Sequence, residues 1–115
     1  TIEKIVSKIS AAHYVFIVTG SYAKKKQTPK SDLDVTIICD DNTNPKSIMA
    51  EIAFESEVSI PVVEPYVFTR KEFLQMLLDK GENYGKEVAR HNSIFYGGAI
   101  YYTILHEALM HGFRG

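Results

Sequence analysis

The sequence predicts an α/β (α+β) domain, a mixed β-sheet flanked by helices. Two stretches predict the sheet. Tyr14–Thr19 is continuously apolar and β-branched, as strands buried on both faces are. Asp32–Cys39 repeats that character after two carboxylates. The helices are predicted by apolar residues recurring at three- and four-residue spacing in the segments around these runs. Strands interleaved with helices pack as helices against a sheet.

Taken in order, Ile2, Ile5, Val6 and Ile9 mark an amphipathic opening helix within residues 1–12. The strand Tyr14–Thr19 follows. Residues 21–26 fit a short helix or helical turn, ended by Pro29 in the loop Thr28-Pro29-Lys30-Ser31. The second strand is Asp32–Cys39. The polar run Asp40 to Pro45 suits a helix cap, and a helix over 46–56 carries Ile48, Met49, Ile52 and Ala53 as its buried stripe. A third strand spans Ser59–Thr69, where Pro61 and Pro65 require an edge position or a bulge. Thr69 with Glu72 forms a capping box for a helix faced by Phe73, Leu74, Leu77 and Leu78 and stopped by Gly81. A short helix covers 83–90, and a strand or extended link covers 93–96. A last helix carries Ile100, Tyr101, Ile104, Leu105, Ala108 and Leu109 and ends near Gly112.

A chain of 115 residues with 45% hydrophobic content forms one domain, 1–115, with a real core. The formal net charge of −1 gives no global pull toward nucleic acid. No apolar stretch has membrane-spanning length, and no secretory signal is visible. The single Cys39, in an apolar strand, reads as a buried thiol of a reducing, cytoplasmic compartment. His13, His91, His106 and His111 show no metal-ligand spacing and read as structural or exposed. Phe95, Tyr96, Tyr101 and Tyr102 read as packing residues.

The stretch with chemistry is Val18-Thr19-Gly20-Ser21, then ten residues, then Asp32-Leu33-Asp34. Side chains two apart on a strand share a face, so Asp32 and Asp34 project together. Two carboxylates that close repel unless a cation sits between them. Gly20 lets backbone approach a ligand, and Ser21 with the N–H groups after it suits a phosphate. Lys24, Lys25, Lys26 and Lys30 add positive charge between the two elements. A phosphate cradle joined to metal-binding carboxylates is the chemistry of nucleotidyl transfer. Glu64, an acid in the mostly apolar Ile60–Tyr66 run, has two readings. It faces the acid pair from a neighbouring strand, or it faces solvent between two prolines.

Gly20-Ser21, Tyr22-Ala23-Lys24 and Ser31-Asp32-Leu33-Asp34-Val35 resemble the motif of the small nucleotidyltransferases of the DNA polymerase β superfamily. Lys24 stands where that family usually has Arg, Lys25 where Gly is common, and Lys30 where an acidic or neutral residue is frequent. The resemblance implies the nucleotidyltransferase fold. It implies a nucleoside triphosphate, ATP, held by Gly20, Ser21 and Lys24, and two Mg²⁺ ions held by Asp32, Asp34 and Glu64. Glu64 falls where the family most often has Asp. The implied reaction moves AMP onto an acceptor hydroxyl and releases pyrophosphate. Small stand-alone members are often paired with a helical HEPN-type protein as toxin and antitoxin. The implied partner is therefore such a protein, or a second copy in a homodimer, with no membrane and no nucleic acid. The alternative is a catalytically weak or inactive module of the same fold that binds nucleotide or partner.

Overall fold

The computed structural model describes residues 2–19 and 33–114. Strands β1 (Tyr14–Thr19), β2 (Leu33–Cys39), β3 (Val63–Thr69) and β4 (Asn92–Tyr96) form one sheet in the order β3-β2-β1-β4. β1 runs antiparallel to both β2 and β4, whereas β2 and β3 are parallel, so the sheet is mixed. Helices α1 (Ile2–Ser7) and α2 (Pro45–Val58) cover one face. Helices α3 (Arg70–Leu78), α4 (Tyr84–Arg90) and α5 (Gly98–Met110) cover the other.

The two-residue period of a strand divides its side chains between these layers. Phe16, Val35 and Ile37 meet Ile5, Ile48 and Ile52 on the first face. Val15, Ile17 and Ile38 meet Phe73, Leu77, Tyr101 and Ile104 on the second. β1 is central, and Tyr14 through Val18 are all buried, as an unbroken apolar run requires.

Caps fix the helix starts. Asn44 accepts from the Lys46 N–H, with Pro45 in the first turn, where a missing donor is harmless. Thr69 and Glu72 form the reciprocal box expected of them. Asn83 accepts from the Lys86 N–H at the head of α4 and donates to the Met76 carbonyl, tying α4 to α3.

Several expected boundaries move. α1 closes at Ser7, and the Lys8 and Ile9 N–H groups donate to carbonyls three residues back, tightening the end. α2 runs on to Val58, so β3 opens at Val63 rather than Ser59. The Ile60-Pro61 segment is a connection and not strand. The buried stripe of α2 is Ile48, Ile52 and Ser56, a strict four-residue spacing, while Met49 and Ala53 face outward. α3 ends at Leu78, ahead of Gly81. The turn expected over 21–26 lies outside the described residues.

Candidate functional site

The parallel pairing of β2 with β3 sets Asp34 directly opposite Glu64. Partners in adjacent strands share a face, with backbones roughly 5 Å apart. Thr36 and Ile38 follow Asp34 on that face, and Ile38 packs into the core under α3 and α5. The two acids therefore emerge on the helical face carrying α3, α4 and α5, where β2 and β3 both begin. Asp34 is half-buried and Glu64 exposed. Glu64 shares the face of Asp34 and is open to solvent, while Asp32, the other acid of the pair, lies outside the described residues. That exposure removes most of the desolvation cost of an acid in an apolar strand. On its other side Asp34 pairs with Thr19, the last residue of β1, so the chain leaves β1 toward Gly20 at this same end of the sheet.

Beyond the acids lies a small polar and aromatic floor. Thr36 is fully buried, and its Oγ1 shares a 2.8 Å hydrogen bond with the Tyr84 hydroxyl. The Tyr66 ring lies 4.8 Å from the Tyr84 ring, centre to centre. Sequence reasoning did not single out these three residues. Counting two on from Asp34 and from Glu64 finds Thr36 and Tyr66, but Tyr84 arrives only through the docking of α4.

Asp32, Gly20, Ser21 and Lys24 lie outside the described residues, as do Lys25, Lys26 and Lys30. Among the described residues no group of three His, Cys, Asp or Glu side chains is arranged to hold a metal ion. Asp34 and Glu64 supply two carboxylates from neighbouring strands. Hard oxygen donors of this kind suit Mg²⁺, which needs only one or two of them beside a nucleotide's phosphates and its own waters.

The remaining candidates sort by environment. The four histidines are exposed, and His91 sits 4.0 Å from a Glu87 oxygen. Burial pushes the Cys39 thiol up, helped by the negative charge of Asp40, and its sulfur reaches the Phe68 carbonyl at 3.4 Å. Tyr96 stacks on Tyr14, Phe95 meets Phe16 edge-on, and Tyr101 is core, so these three pack. Tyr102 keeps an edge on Tyr101 but is 63% exposed. Among the described residues no helix is long and apolar enough to cross a membrane.

Comparison with known proteins gives two findings. Residues 1–91 match a family model described as nucleotidyltransferase domain. A solved structure described as "Crystal structure of the toxin-antitoxin with AMP-PNP" superposes with a TM-score of 0.59 at 12% identity, covering 95% of this chain and 82% of that one. At that identity the likeness is one of fold. No curated protein matches.

Proposed function

Since this chain belongs to the nucleotidyltransferase domain family, a family of transferases, we propose that it is a Mg²⁺-dependent enzyme that moves AMP from ATP onto a hydroxyl of a partner protein. One observation carries the reading: Asp34 and Glu64 stand side by side at one sheet end, the end at which β1 finishes with Thr19.

Asp34, Glu64 and Asp32 would hold the metal, two ions in the full reading. Bound there, it would neutralise triphosphate charge and favour ionisation of the acceptor hydroxyl. The chain's own groups do the rest. Gly20 and Ser21 hold the phosphates through backbone N–H groups and a hydroxyl, and Lys24 balances their charge as a point cation. Glu64, open to solvent, receives the acceptor's proton. The acceptor oxygen bonds to the α-phosphorus as the bond to the bridging oxygen of pyrophosphate breaks.

A similar fold in a toxin–antitoxin structure containing AMP-PNP supports ATP as the nucleotide and a protein as the acceptor. A helical HEPN-type toxin is the partner that fits, with this chain as its antitoxin; a homodimer would serve if a second copy presented the hydroxyl. The buried, unpaired Cys39 supports a cytoplasmic setting. The substitution of Lys25 for a common glycine favours a second reading, a non-catalytic module that keeps nucleotide and partner binding.

Incubation with α-labelled ATP, Mg²⁺ and candidate acceptor proteins separates the two. The expected result is label on the acceptor, pyrophosphate release, and a loss on the order of a hundredfold in Asp34→Ala and in Glu64→Ala, comparable to removing one transition-state contact. Nucleotide bound without pyrophosphate release establishes the module instead.

A further inference from the structure

The sheet face that carries Asp34 and Glu64 continues two residues on, where Thr36 and Tyr66 stand opposite one another across β2 and β3. Thr36 is fully buried, but Tyr66 is 37% exposed. The Tyr66 ring is backed by Tyr84, 4.8 Å away and tilted by 41°, and Tyr84 in turn lies 6.0 Å from Phe68. The backing is itself held. The Tyr84 hydroxyl is bonded to Thr36, and the Asn83 cap ties the start of α4 to the Met76 carbonyl. Tyr66 is therefore a supported ring with accessible surface, roughly 7 Å along β3 from Glu64.

No other exposed aromatic among the described residues has this placement. Phe54 lies on α2, over the opposite face. Phe95 meets Phe16, a core residue of that opposite face. Tyr96 stacks on Tyr14, at the end of β1 away from Thr19. Tyr102 lies on the helix α5 rather than on the sheet.

We propose that Tyr66 is a specificity-determining residue of the nucleotide site: its ring stacks on the base of the nucleotide whose phosphates sit with the metal at Asp34 and Glu64. This rests on the nucleotide site of the reading above, though not on the transfer step. In a nucleotide the ribose separates the base from the phosphates. A platform for the base therefore belongs beside the carboxylates and not upon them, and two residues along β3 supply that offset. Every base presents a π-face, so an aromatic platform binds without reading hydrogen-bonding edges, and it favours the larger purine surface. Because Tyr84 and Thr36 already hold the platform, little side-chain freedom is lost when the base arrives.

The probes are a non-hydrolysable ATP analogue, the matching CTP analogue and inorganic tripolyphosphate, each titrated with Mg²⁺ into the full chain by calorimetry. The ATP analogue is expected to bind about tenfold tighter than tripolyphosphate, the effect of one stacked base, with the CTP analogue between them. Tyr66→Leu keeps bulk without a π-face. It is expected to bring the ATP analogue down to the level of tripolyphosphate and to leave tripolyphosphate unchanged. Tyr66→Phe, which keeps the ring, should retain the difference. Should Tyr66→Leu fail to fold, NMR of the Tyr66 ring protons in the unaltered chain decides. The ATP analogue is expected to shift them upfield by ring current, and tripolyphosphate is not. An ATP analogue bound no tighter than tripolyphosphate overturns the platform and leaves a phosphate site. An equal loss of both probes in Tyr66→Leu, the mark of a merely structural residue, overturns it too. So does unchanged binding of the ATP analogue in that variant with reduced labelling of an acceptor, which assigns Tyr66 to the acceptor. Failure of every probe to bind the unaltered chain removes the nucleotide reading and the platform together. A base that stacks in a chain that transfers no label upholds the platform and counts against the transfer reading.

Discussion

Tyr101 points from α5 into the core, its ring buried and its hydroxyl accepting from the Asn92 side-chain amide at 3.4 Å. Burial, reinforced by neighbouring Tyr102, raises its pKa from 10.0 to about 12. The unfolded chain gives up this proton near pH 10 and the folded chain near 12, so the unfolded state binds fewer protons in that window. Stability must fall as pH rises from 10 to 12 and level off above it. Urea unfolding at a series of alkaline pH values checks this, with Tyr101→Phe expected to flatten the fall. Tyr14, also raised by burial, leaves a residual slope in that variant. At this scale the sequence was partly legible. Asp34 and Glu64 stood out because an acid in an apolar strand needs a reason. Tyr84 and Thr36 did not, because a tyrosine in a polar stretch and a threonine in a strand are ordinary. Their meeting depends on which helix lies over which strand. Ser56 escaped because it is polar, although its spacing from Ile52 puts it in the buried stripe. Among the described residues its hydroxyl has no partner.

The joints between elements carry constraints that pattern alone does not express. Gly97 precedes α5 with φ of 83°, and a Cβ there would lie 2.3 Å from the Tyr14 carbonyl oxygen. The physical reason for a glycine at this position is the close pass of the α5 entry over β1. Gly97→Ala is expected to cost about 2–4 kcal/mol, from an unfavourable φ added to a backbone clash. Thermal melts measure it, and a change within about 0.5 kcal/mol, the ordinary range of neutral surface substitutions, would contradict this. Helices were legible where chemistry marks their ends, as at Thr69 with Glu72. They were misjudged where apolar residues serve as connection. Ile60 is 97% exposed, so the hydropathy that made Ser59–Val62 look like strand has another use or none.

For the molecule as a whole, interleaved periods revealed the layers but not the order of strands. β2 and β3 run parallel because α2 carries the chain back to the starting end of the sheet, as a crossover must. This alone brings Glu64 to Asp34. An antiparallel return would have left it at the far end. The site is thus a consequence of topology acting on two residues thirty positions apart. The most direct test is Mn²⁺ binding, followed by electron paramagnetic resonance, in the presence of a non-hydrolysable ATP analogue. The account predicts saturable binding to the unaltered chain, weakened by about tenfold or more in both Asp34→Asn and Glu64→Gln, as expected when one charged oxygen ligand is lost. Binding that is unchanged in both variants would contradict it.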